Sequence, residues 1–146
     1  MFEKNWLMAV IAILVSMIGA LVWTYYVRKT KRARFGGRES LSARDLCRQF
    51  LTAELTEDEV LGFLEDVSRA CDVPRGKLRP DDRFDRELAP VPGWEYDDGL
   101  SILPDKLQQR FGGSVSDYNV KNLSTLRDML QRIREQRAAE AQKRLP

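Results

Sequence analysis

From Trp6 to Val27 the chain reads WLMAVIAILVSMIGALVWTYYV, twenty-two residues without a charge, and no comparable apolar run follows. About 20 such residues cross the hydrocarbon core as a helix, so 6–27 is expected to be a transmembrane helix. Phe2 and Trp6 at one end and Trp23, Tyr25 and Tyr26 at the other stand where aromatic rings settle at the headgroup level. A cleaved signal peptide fits less well, because the run is long and is followed by RKTKRARFGGR rather than by a small-residue cleavage site.

Beyond the span the pattern changes to helical spacing. Leu46, Phe50 and Leu51 follow Ser42, a good N-cap, and predict a short lead-in helix. Thr56 and Glu59 form a capping-box pair ahead of Val60, Leu61, Leu64, Val67 and Cys71 on one face. Pro74 ends that helix. The segment PRGKLRPDDRFDRELAPVPGWEYDD holds four of the six prolines, and its scattered Leu78, Phe84, Leu88, Val91 and Trp94 are expected to plug a core. Asp97 and Asp98 occupy N-cap and first-turn positions before Leu100, Leu103, Leu107 and Phe111, a third stripe that Gly112-Gly113 stops. Pro104 fits that helix only within its first turn or at a kink. After a connector carrying Val115, Tyr118 and Val120, Ser124 is expected to cap a last helix. Its apolar face is Leu126, Met129, Leu130 and Ile133, and beyond Ile133 it turns polar and is expected to fray.

Charge gives the first part of the chain a direction. Arg28, Lys29, Lys31, Arg32, Arg34 and Arg38 follow the span while Lys4 alone precedes it, which places the C-terminal part in the cytoplasm by the positive-inside rule. The same run, Arg28, Lys29, Lys31, Arg32 and Arg34 above all, is a candidate for lipid-headgroup contact. It lacks interleaved aromatics and lies against the membrane, so nucleic acid is not expected as a partner. Residues 39–146 carry seventeen positive and twenty-one negative charges and are long enough for one core. There is no histidine, and Cys47 and Cys71 are the only cysteines. No metal site, redox pair or imidazole-based triad is therefore expected. Asp97 and Asp98 as a catalytic pair would point about 100° apart on a helix, so no enzyme activity is expected. Ser16 and Ala20 have small-xxx-small spacing, which leaves a weak homodimer as one outcome.

LPDKLQQRFGG, LSTLRDMLQRI and DDRFDREL resemble, in order, the second helix, the final helix and the preceding loop of the acyl carrier protein family, over roughly 55–137. The resemblance implies an all-α fold: a small acyl-carrier-like helical bundle preceded by a single transmembrane helix. In that family a serine within Asp-Ser-Leu at the start of the second helix carries phosphopantetheine. Here the corresponding positions are Asp97 and Asp98, which offer no hydroxyl, as in a bacterial group of acyl-carrier-like proteins with an Asp-Asp pair. Lys106 and Arg110 also replace the acidic surface of the family's second helix, whereas residues 54–98 keep fourteen negative charges against six positive.

The expected division is 1–5 outside the cytoplasm, 6–27 in the membrane, 28–41 a basic linker with a flexible RFGGRES stretch, 42–137 the bundle and 138–146 a polar tail. The expected function is a single-pass interaction module of the bacterial inner membrane, holding no cofactor and binding an unknown cytoplasmic protein. The alternative is a true carrier that uses Ser101, the nearest hydroxyl.

Overall fold

The computed structural model describes residues 2–50, 55–91, 99–121 and 123–143, and among these the regular elements are helical. They are α1 (Phe2–Arg34), α2 (Ala43–Phe50), α3 (Glu57–Cys71), α4 (Gly99–Phe111) and α5 (Leu126–Lys143), with 3-10 turns at Arg75–Lys77 and Val115–Tyr118. Among the described residues the one pairing of extended backbone is an isolated antiparallel bridge, Arg83 with Thr125. Helix α1 is long and apolar enough to cross a membrane and lies near the N-terminus, and none of its most apolar stretch is buried.

The core of the bundle is built from the expected stripes. Val60, Leu64, Val67 and Cys71 of α3 are buried together with Phe63 and Ala70, whereas Leu61, expected on the same face, is only half-buried and its place in the core is taken by Phe63. They meet Leu100, Leu103, Leu107 and Phe111 of α4 and Leu126, Met129, Leu130 and Ile133 of α5. Leu46 and Phe50 of α2 close one side, while Leu51 lies outside the described residues. In the long loop Leu78, Phe84 and Leu88 are core residues and Val91 is buried. Trp94 lies outside the described residues.

Among the described residues several helix ends have a local cause. Ser42 Oγ accepts the Asp45 amide at 3.2 Å ahead of α2. Thr56 and Glu59 complete both halves of a capping box on α3, which satisfies two of the amides a helix start leaves open. Asp72 ends α3 in the left-handed region at φ 52, a conformation that Asp tolerates better than most side chains. Gly112 and Gly113 end α4 at φ 80 and 83, and the buried Tyr118 donates its hydroxyl to Gly112 O at 2.8 Å.

One detail, the cap of the last helix, differs from the sequence expectation, and two others extend it. The last helix is capped by Thr125, whose Oγ1 accepts the Asp128 amide at 3.2 Å while Asp128 Oδ2 accepts the Thr125 amide at 2.9 Å; the carbonyl of Ser124 is used instead by the Phe84 amide. The same helix continues to Lys143. Pro104 stands sixth in α4, beyond the first turn and buried, so α4 forgoes the bond that an amide there would make to the Leu100 carbonyl.

Candidate functional site: the seam between helix α1 and the bundle

Basic side chains that follow an apolar helix have two uses, lipid phosphates and the protein's own carbonyls and carboxylates. Here the second is visible. Val27 is 3 % exposed and Phe35 1 %, eight residues apart and therefore on one face of a helix, with Lys31, also buried, between them. That face lies in the seam.

Along it the contacts follow the chain in order. Arg28 Nε lies 3.9 Å from Asp72 Oδ2 and Arg32 Nη2 3.7 Å from Asp72 Oδ1, ion pairs longer than hydrogen bonds. Arg34 Nη1 donates to the carbonyls of Ala89 at 2.9 Å and Arg86 at 3.3 Å. Lys77 Nζ donates to Phe35 O at 3.0 Å. Arg38 covers the Phe35 ring at 4.9 Å and donates from Nη1 to Asp82 Oδ1 at 2.6 Å. Leu41 N then donates to Gly76 O at 2.9 Å.

Segment 28–41, the basic linker of the sequence reading, is helix as far as Arg34 and then a strap on the loop. Gly76 shows how closely the strap lies, since a Cβ there would fall 2.3 Å from Ser40 Oγ and 3.0 Å from Leu41 O.

Asp82 joins the strap to the core. Its side chain is 3 % exposed. It accepts from Arg38 and, at 2.8 Å, from the Arg79 amide, and its carbonyl accepts the Leu126 amide at 3.1 Å. Burying a carboxylate is costly unless it is paired and hydrogen-bonded, and both conditions are met. The sequence offered Asp82 as one acid in DDRFDREL and nothing more. The one signal that could have revealed the seam was Phe35, a lone aromatic inside a basic run at helical spacing from Val27.

Of the five candidate headgroup contacts, Arg28, Lys29, Arg32 and Arg34 are exposed and Lys31 is buried in the seam. Arg28 and Arg32 keep 60 % and 64 % of their side-chain surface accessible while near Asp72. Asp97 and Asp98 lie outside the described residues. Ser101 is exposed in the first turn of α4. That turn is pressed on α3 so tightly that a Cβ on Gly99 would sit 2.2 Å from Ala70 O. Beside it a groove of about 320 Å3 is lined by Phe84, Pro90, Leu100, Val120 and Leu123 with Arg83, Asp85 and Lys121.

Electrostatics at the far contacts of the bundle are ordinary ion pairing. The Thr56 amide above all holds the Glu59 carboxyl below the usual glutamate range against the opposing effect of burial, with lesser help from the Thr56 hydroxyl and Arg137, and Arg137 Nη2 reaches it at 2.6 Å. Arg110 Nε donates to Asp66 Oδ2 at 2.7 Å across α3 and α4. Burial pushes the Cys47 thiol up, which suits a packed residue rather than a nucleophile. Among the described residues no cluster of three or more metal-ligating side chains occurs. Comparison with family models, curated proteins and solved structures gave no match.

Proposed function

We propose that the chain is a single-pass, membrane-anchored interaction module of the bacterial inner membrane, with an acyl-carrier-like bundle at the cytoplasmic face that binds a protein partner and carries no phosphopantetheine. The observation that carries the anchor is the bare apolar surface of α1. Trp6, Leu7, Met8, Ile13, Val15, Ile18, Leu21 and Val22 are each between 55 % and 71 % exposed, an area far beyond what a soluble surface leaves uncovered. The bilayer is its natural solvent. The charge bias after Val27 supports the inward orientation of the C-terminal part, and Asp97 and Asp98 in place of the carrier serine support binding without carrier chemistry.

A second reading has one observation in its favour: Ser101 is exposed on α4 next to the groove that Leu100 helps to line, so a carrier attached there would have apolar space at hand. Intact mass of the protein from its native cells tests both. The expected spectrum shows the uncleaved chain without an added phosphopantetheine, recovered from membranes after alkaline washing. An added phosphopantetheine would establish the carrier, and a chain shortened past Val27 would show that α1 was a signal sequence. For orientation, a fluorescent protein fused after Pro146 is expected to be bright and an alkaline phosphatase there inactive; the opposite pair would reverse the topology.

A further inference from the structure

The chain has an obvious place to bend, Gly36-Gly37, directly after α1. It is fastened on both sides. Before it, Arg34 bonds the carbonyls of Arg86 and Ala89, and Phe35 is part of the core. After it, Arg38 bonds Asp82 and Leu41 bonds Gly76. A swinging bundle would have to break these contacts and expose Phe35.

The order of contacts also sets heights along α1. A helix rises 1.5 Å per residue, so Arg28 to Arg34 spans about 9 Å. Asp72, paired at the level of Arg28 and Arg32, therefore stands close to the last apolar turn, whereas Lys77, which meets Phe35, stands roughly 5–10 Å farther along. The corner where α3 ends brings its own cations, Arg69 and Arg75, both near Glu65. Together with Arg28, Lys29 and Arg32 they outnumber the acids Glu65 and Asp72 there. At 3.9 and 3.7 Å from Asp72, Arg28 and Arg32 can donate to a phosphate oxygen without giving up a hydrogen bond.

We infer that the bundle is mounted rigidly on its apolar helix with the Asp72 corner held against the headgroup layer, and that this corner is a contact surface for anionic lipid. The inference rests on the membrane reading above and adds to it a fixed pose and a named lipid-facing surface.

The test uses the full isotopically labelled chain in nanodiscs of phosphatidylcholine and phosphatidylglycerol doped with a headgroup spin-labelled lipid. Amides of Ala70 to Val73 are expected to broaden more than those of Lys77 to Asp82, and the amides of Arg38 and Leu41 to exchange as slowly as those of the bundle. The side-chain Nε signals of Arg28 and Arg32 are expected to shift when phosphatidylglycerol replaces part of the phosphatidylcholine. A chain that stays in the discs but shows uniform broadening, or unprotected amides at 38 and 41, overturns the rigid mount. Nε signals indifferent to phosphatidylglycerol overturn the anionic-lipid contact. A chain that does not enter the discs at all overturns the membrane reading and this inference with it.

Discussion

Two glycines show how one substitution has different outcomes according to what surrounds it. A Cβ on Gly62 would meet the Arg110 guanidinium at 2.6 Å, the movable end of a long side chain. Replacing a helical glycine by alanine gains about 1 kcal/mol, and a partly exposed ion pair such as Arg110 with Asp66 contributes about 0.2–1 kcal/mol. Gly62→Ala is therefore expected to change stability by less than about 1 kcal/mol. At Gly99 the neighbour is backbone, Ala70 O at 2.2 Å, and it cannot move aside alone. Gly99→Ala is expected to cost about 1–3 kcal/mol, read as a lower urea midpoint; equal midpoints for the two variants would contradict the close packing of α4 on α3. Glu59 adds a dependence on pH. Its folded carboxyl is held low by the Thr56 amide first of all, so its contribution is present above the unfolded glutamate range, about pH 4.3, and is lost as pH falls through the lower folded value. Glu59→Gln is expected to flatten the decline in stability below that range, measured as urea midpoint against pH.

Among the elements, α3 was the most legible in sequence, because its capping box and its 3.6-residue stripe are both local signals. α5 was legible in its apolar face but not in its first residue. LSTLRD offers two adjacent hydroxyls, and what selects Thr125 is the acid three residues later, Asp128, together with the use of the Ser124 carbonyl by Phe84. Thr125→Ala is accordingly expected to cost about 0.5–2 kcal/mol and Ser124→Ala less than about 0.5 kcal/mol in thermal unfolding; a larger loss at Ser124 would move the cap. The strap was not legible, since Arg38 with Asp82 and Lys77 with Phe35 are side-chain contacts across about forty positions of sequence. Periodicity carries no trace of such pairings. The start of α4 was read from Asp97 and Asp98, which lie outside the described residues, so that part of the candidate site rests on the sequence.

For the whole molecule, these contacts are expected to make the folding unit begin near Val27, ahead of residue 42. Phe35 is 1 % exposed within the core, and removing a buried phenylalanine side chain costs about 3–5 kcal/mol. Phe35→Ala in a fragment spanning 27–143 is expected to lower stability by that order. A fragment beginning at 42 is expected to melt lower than one beginning at 27, since it also leaves Asp82 buried without Arg38. Identical melting of the two fragments would show that the strap is not part of the fold.

Asp82 also governs when the molecule can become complete. It gathers Arg38, the Arg79 amide and the Leu126 amide, partners spread from just past the end of α1 to the first residue of the last helix. Contacts of such separation form late, because the loops between them must close first. During synthesis α1 emerges about a hundred residues ahead of Leu126, roughly 5–20 s at ~5–20 residues per second. Throughout that interval Phe35 and the α3 stripe wait without their final partners. On the membrane reading proposed above, the apolar helix is available for insertion before the bundle behind it can close, and the bond from the Leu126 amide to Asp82 fixes the pose only afterwards.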